Sequence, residues 1–195
     1  MKRFLVLAVV SFLLLGCSKN NPQNNFTPEE IEAAWLKASN PGDKHKLLEP
    51  FVGTWNADIT WWGEADGVPI KSSAESRKAW ILGGRFIRQD FEGVTFGEHL
   101  TGTGITGYDN LRERFVAMWT DSMSTAIMIS MGTVNDTGNK FEFHGDFMDP
   151  VTREVKHSRS EVVVNNHNQH TFTAYESAPN GKEYKSVEIV YTRIN

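Results

Sequence analysis

The sequence predicts an all-β fold: a closed antiparallel up-and-down β-barrel of about ten strands, preceded by an N-terminal helix. Three observations carry this. From Gly53 onward, runs rich in Trp, Phe, Ile, Val and Thr recur, with Gly, Pro, Asn and Asp between them. The joints have hairpin chemistry, since Asp136-Thr137-Gly138-Asn139, Asp149-Pro150-Val151-Thr152 and Pro179-Asn180-Gly181 all suit tight turns. Finally, consecutive up-and-down strands leave bare edges unless they close on themselves.

The elements follow in order. Residues 1–16 read as an export signal: a basic start (Lys2, Arg3), an apolar run from Phe4 to Leu15, and a small residue, Gly16. The run is shorter than the ~20 apolar residues a membrane span needs. Leu14-Leu15-Gly16-Cys17 resembles a bacterial lipobox, which implies that Cys17, the only cysteine, becomes the lipidated first residue of the mature chain. Residues 17–26 are a polar, Asn-rich tether with a reach of about 15–20 Å. Within residues 27–52, Thr27-Pro28-Glu29-Glu30 has the form of a capping box with proline at the first helical position. Ile31, Ala34, Trp35 and Ala38 then form one apolar stripe. Asn40-Pro41-Gly42 stops that helix, and Asp43 to Glu49 supplies a second short turn. The barrel domain occupies 53–195, with strands near 53–62, 70–80, 84–92, 100–108, 113–120, 126–134, 139–147, 154–164, 169–177 and 183–193.

Composition bounds the function. The formal charge is −4, and it becomes more negative once Lys2 and Arg3 are removed, which argues against nucleic acid as a partner. A mature domain with no free thiol rests on its core alone, and a chain of this size buries roughly 70% of its unfolded surface. No His, Asp or Glu cluster has metal-ligand spacing, so no metal site is expected. No nucleophile triad or other catalytic set is readable, and the cofactor is unknown.

Alternation sorts the faces of the strands. Phe141, Phe143 and Phe147 share one face of their strand, leaving Glu142, His144 and Asp146 on the other. A turn at Asp149 to Thr152 pairs Met148 with Arg153, His144 with His157 and Glu142 with Arg159, a charged ladder that faces water. A turn at Pro179 to Lys182 pairs Phe172 with Ile189, Ala174 with Val187 and His170 with Tyr191. His170 and Tyr191 are thereby carried inward, as polar groups a bound molecule would meet. Trp119 and Asp121, with Trp61, Trp80 and Met128, are read as lining an open mouth. The competing reading makes the loop after Trp119 a hydrogen-bonded closure. Haem ligation by His170 beside Tyr191 is a further alternative.

On the first strand, Trp55 faces inward, and Arg193 on the last strand reaches it as a cation–π cap. Gly53-Thr54-Trp55 with Arg193 resembles the G-x-W and terminal-arginine pattern of lipocalins and their calycin relatives. HKLLEPFVGTW, the segment Ala79 to Phe86, GxGxxGYDN at Gly102 to Asn110, and WTDSMST at Trp119 to Thr125 resemble an uncharacterised bacterial family of domains of unknown function, DUF1579. The resemblance implies a calycin-like barrel and brings no activity, ligand or catalytic residue. Gly102, Gly104 and Gly107 also spell a dinucleotide-binding string, but they lie in a strand series, where bending or close backbone approach explains them better.

The expected function is therefore a lipid-anchored protein of the bacterial cell envelope whose barrel binds a small apolar or amphipathic molecule. Its membrane partner is the bilayer, reached through acylated Cys17. Ser18 after that cysteine implies the periplasmic face of the outer membrane in a host with two membranes. The alternative is an envelope structural or protein-interaction module with a filled barrel; a barrel enzyme or haem protein ranks third.

Overall fold

Alternating apolar residues bounded by turn formers give ten strands: β1 (Gly53–Trp61), β2 (Ile70–Ile81), β3 (Phe86–Thr95), β4 (Glu98–Asp109), β5 (Arg114–Asp121), β6 (Met128–Val134), β7 (Lys140–Met148), β8 (Val155–Asn166), β9 (Gln169–Ser177) and β10 (Glu183–Arg193). A computed structural model describes residues 26–194 apart from Pro179. The export signal and Cys17 therefore lie outside the described residues. Each strand pairs antiparallel with its neighbours in sequence, and β1 pairs with β10, so the sheet closes and no edge is left open. Odd-numbered strands run away from the end at which β1 begins, and even-numbered strands run back towards it.

Before the barrel, α1 (Pro28–Ser39) begins with the capping box the sequence predicts: Thr27 N–H donates to Glu30 Oε2 (2.7 Å) and Glu30 N–H to Thr27 Oγ1 (3.2 Å). The chain divides into a unit ending at Trp35 and a unit from Leu36 onward. Within the second, α2 (Asp43–Lys46) and a 3₁₀ turn (Glu49–Phe51) lead into β1. Leu48 and Phe51 pack with Ile87, Phe115, Phe141 and Phe143, stopping this end of the barrel with apolar side chains. Asn110, just after β4, donates to the carbonyls of Lys37, Ala38 and Asn40 at 3.1, 3.3 and 2.9 Å. These bonds satisfy carbonyls at the helix C-terminus.

The register of β9 and β10 around the site is as expected, with His170 opposite Tyr191, Phe172 opposite Ile189 and Ala174 opposite Val187, while a bulge between Lys185 and Val187 shifts it by one residue nearer the turn. That of β7 and β8 is not. His144 lies opposite Arg159, Asp146 opposite His157 and Met148 opposite Val155. The connection is two residues longer than a tight turn at Asp149 to Thr152 would make it. Asp149 N–H bonds to Glu154 O, and Arg153 adopts a left-handed φ of 61°. The outward direction of the ladder is unchanged, since a two-residue slip preserves the faces.

The three glycines of the dinucleotide-like string lie within or against β4, with no strand–turn–helix unit. A Cβ on Gly102 would fall 2.3 Å from the Trp119 ring, and one on Gly107 would fall 2.3 Å from Phe86. Their bare backbone is the seat for two aromatic side chains.

Candidate functional site

Counting by twos along β2 from buried Ala74 and Ser76 leads to Lys78, which the sheet directs into the lumen. There its Nζ lies 2.8 Å from His170 Nε2 and 3.9 Å from the centroid of the Tyr191 ring. The His170 ring is stacked on Tyr191 (centroids 4.4 Å apart, planes at 11°) and meets the Trp55 ring nearly at right angles (4.3 Å). Phe51 closes over the group from the 3₁₀ turn, with its ring 5.1 Å from that of His170. Gln89 on β3 donates to Ser76 Oγ at 3.0 Å and, at 3.4 Å, to the Tyr191 hydroxyl.

The electrostatics follow from this packing. His170 is 1% exposed, and burial, then the positive charges of Lys78 and Arg193, hold its imidazole far below the usual histidine range. Burial pushes the Lys78 amine down to about 7, and the Tyr191 phenol up to about 12. Lys78 makes no ion pair with any described carboxylate. An ammonium has only donors, so Nε2 of His170 is the acceptor and the ring proton sits on Nδ1, a buried atom with no hydrogen-bond partner.

The residues singled out from the sequence fall into three places. His170 and Tyr191 form the polar group just described. Trp80 lies at the stopped end, where its indole donates to Glu49 Oε2 at 2.6 Å. Trp61 and Trp119 lie towards the opposite end, the first against Phe96 (5.6 Å) and the second against Phe91 (5.7 Å). There Asp121 accepts from the Trp119 indole (2.8 Å) and from the Met123 amide (3.0 Å). Trp80 therefore shares no mouth with Trp119. Gly53, Trp55 and Arg193 come together as expected, with the guanidinium 4.0 Å from the Trp55 ring centroid. Lys78 was missed because a lysine in an alternating strand reads as a solvated residue. Its parity with Trp80 was the available signal.

Residues 40–193 match the family model described as "Protein of unknown function (DUF1579)". The chain belongs to that family. Among solved structures, the crystal structure of Rv2717c from M. tuberculosis covers 80% of this chain and 100% of its own, at 15% identity and a TM-score of 0.57. That likeness is one of fold. A redesigned beta barrel aligns over 80% of this chain and 100% of its own, at 13% identity and a TM-score of 0.39. No curated protein matches the sequence.

In the DUF1579 barrel, one ring face of His170 is taken by Tyr191 and its Nε2 by Lys78, while Trp55 and Phe51 meet the ring edge to face. Ligation of haem through Nε2 therefore requires that Lys78 be displaced. Further from the stop, Ile59, Phe91, Leu100 and Val187 are buried as a second core, against which Trp119, Phe172 and Ile189 are only partly buried. Trp119, Ser130, Phe147, Ser160, Phe172 and Ile189, which face inward by alternation, all keep accessible surface. A groove lined by Glu75, Arg77, Asp90 and Glu92 runs along β2 and β3 on the opposite face of the sheet from Lys78. Its charges are largely self-paired, Arg77 with Glu75 and Arg88 with Asp90. Arg159 pairs with Glu161 on its own strand β8 (2.6 Å) and with Glu183 on β10 (2.5 Å), and His157 pairs across to Asp146 on β7 (2.6 Å). No metal-binding cluster occurs among the described residues.

Proposed function

We propose that this DUF1579 protein is a lipid-anchored envelope protein whose barrel holds a small apolar or amphipathic molecule. The observation that supports the reading best is the unevenly filled lumen. Leu48, Phe115 and Phe141 at the stopped end are each 1% exposed, whereas the inward wall of Trp119, Phe147, Phe172 and Ile189 remains accessible. An aromatic and aliphatic wall with two serines on it suits a molecule that is mostly apolar with one polar end. The address rests on Leu14-Leu15-Gly16-Cys17 and the polar tether that follows. Native mass spectrometry of the protein purified from its own host tests the cargo. A retained small molecule is expected, and consistently empty protein that also fails to bind the lumen dye N-phenyl-1-naphthylamine would overturn the reading. Globomycin treatment tests the anchor, which predicts that the uncleaved precursor accumulates.

A second reading, an interaction module, is favoured by one observation. Ile127, Ile129, Met131, Met148 and Val155 on and beside β6, β7 and β8 are 43–65% exposed, an unusual concentration of apolar side chains on an outer face. Replacing Ile129 and Met131 by Ser abolishes capture of envelope proteins if this face docks a partner, and leaves dye binding in the lumen unchanged.

A further inference from the structure

Lys78 places an amine where the barrel has no evident structural need for one. A buried lysine without a carboxylate opposes folding, and an apolar residue of similar length would fill the space at lower cost. The described neighbours of the Nζ group are a neutral imidazole, a phenol ring and, at 5.9 Å, the Phe51 ring. The second charged group on this side, Arg193, is also positive and is committed to the carbonyls of Val52 and Pro50 at 2.7 and 3.0 Å. Of the three members of the cluster, His170 and Tyr191 are 1% and 5% exposed, and Lys78 is half-buried as a residue with its amine desolvated against them.

We propose that Lys78 captures the carbonyl carbon of an aldehyde-bearing amphiphile as an imine inside the lumen. This deepens the proposed function and rests on its reading that the lumen admits such molecules. The nitrogen lone pair of the neutral amine forms the new C–N bond, giving a carbinolamine. The amine's two protons then leave with the former carbonyl oxygen as one water, producing a C=N bond. No oxidant or reductant takes part, and the addition of water reverses the step.

The surroundings suit this chemistry in three ways. A site that disfavours the charged ammonium keeps a larger share of the amine in its nucleophilic form near neutral pH, consistent with its depressed pKa. By accepting one N–H, His170 acts as a positioning residue that fixes the direction of the lone pair. The Tyr191 ring, 3.9 Å from Nζ and stacked on His170, supplies an apolar wall that shields the C=N bond from water. A carboxylate ligand is the poorer match, because it requires two buried charges where the imine requires none.

The test incubates the full chain with dodecanal at pH 7.5, adds cyanoborohydride to trap any imine, and maps the modified peptide. Dodecanol, which has no carbonyl, is titrated in parallel against N-phenyl-1-naphthylamine fluorescence. One dodecyl group on Lys78 is expected, forming at least tenfold faster than on any other lysine, and absent in Lys78→Arg and Lys78→Met variants that still bind dodecanol. Labelling spread evenly over surface lysines, or laurate binding that depends on Lys78 without any trapped imine, would overturn the imine while leaving lumen binding intact. Failure of the wild-type protein to bind dodecanol and to trap dodecanal would overturn both. The wild-type peptide map decides the question even if neither variant folds.

Discussion

Arg193 and Trp55 are cross-strand partners on β10 and β1, and the guanidinium lies over the indole at 4.0 Å while donating to the carbonyls of Val52, Pro50 and His167. The pair joins the last strand to the first and ties both to the turn that stops the barrel. Its passage depends on Gly53, whose φ of 139° suits only glycine and whose added Cβ would fall 2.2 Å from the guanidinium.

Arg193→Ala removes the stacked cation and leaves carbonyls short of donors, so a loss of about 2–3 kcal/mol is expected. Gly53→Ala is expected to cost at least as much, through the strained φ and the displaced guanidinium. Urea denaturation followed by far-ultraviolet circular dichroism measures both. Unchanged midpoints would show that the clamp holds nothing.

Trp119 rests on the bare backbone of Gly102, so Gly102→Ala forces the ring away. A destabilisation of about 1–3 kcal/mol is expected. The indole should also lose its bond to Asp121, shifting the tryptophan emission towards the red. Emission identical to wild type would place the ring elsewhere.

Burial holds the imidazoles of His170 and His45 below their ordinary range. As pH falls through about 6.5 the unfolded chain takes up these protons before the native state does, so stability drops with acid. The contribution is complete above that pH. Thermal midpoints measured from pH 7.5 to 5 should fall steadily, and a His45→Gln, His170→Gln double variant should fall less. Parallel slopes would refute the assignment.

Lys78 has the same sign of dependence over a different range. Between about 7, its value in the fold, and the ordinary lysine value near 10.4, the unfolded state holds a proton the native state lacks. Stability from this group therefore rises with pH across that window. Lys78→Met is expected to be more stable than wild type by about 1–3 kcal/mol at pH 6, with the advantage fading towards pH 10. A constant offset across pH 6, 8 and 10 would mean the amine is not desolvated.

How much was legible from the sequence depended on the local chemistry. Asn180-Gly181 marks its hairpin and the apolar alternation beyond it turns His170 and Tyr191 inward, whereas the bulge between Lys185 and Val187 had no signal in the sequence. The Asp149 turn carries a left-handed residue, Arg153, that is not glycine, and nothing in its sequence announces the extra length. Trp80 was grouped with Trp119 because both end their strands. In an up-and-down barrel, however, an even strand and an odd strand end at opposite rims, so strand number separates them. Lys78 was obscured by its charge, which alternation alone would have overruled. The three β4 glycines were read as points of bending or of close approach; close approach is what they provide, to aromatic side chains that spacing could not name.

The apolar stop formed by Leu48 and Phe51 rules out one mode of action for the barrel. A conduit needs two openings, and these side chains close one of them. For the cargo role proposed above, loading and unloading then fall to the opposite rim and face a single compartment. In that role the barrel is a container whose contents are traded with one side.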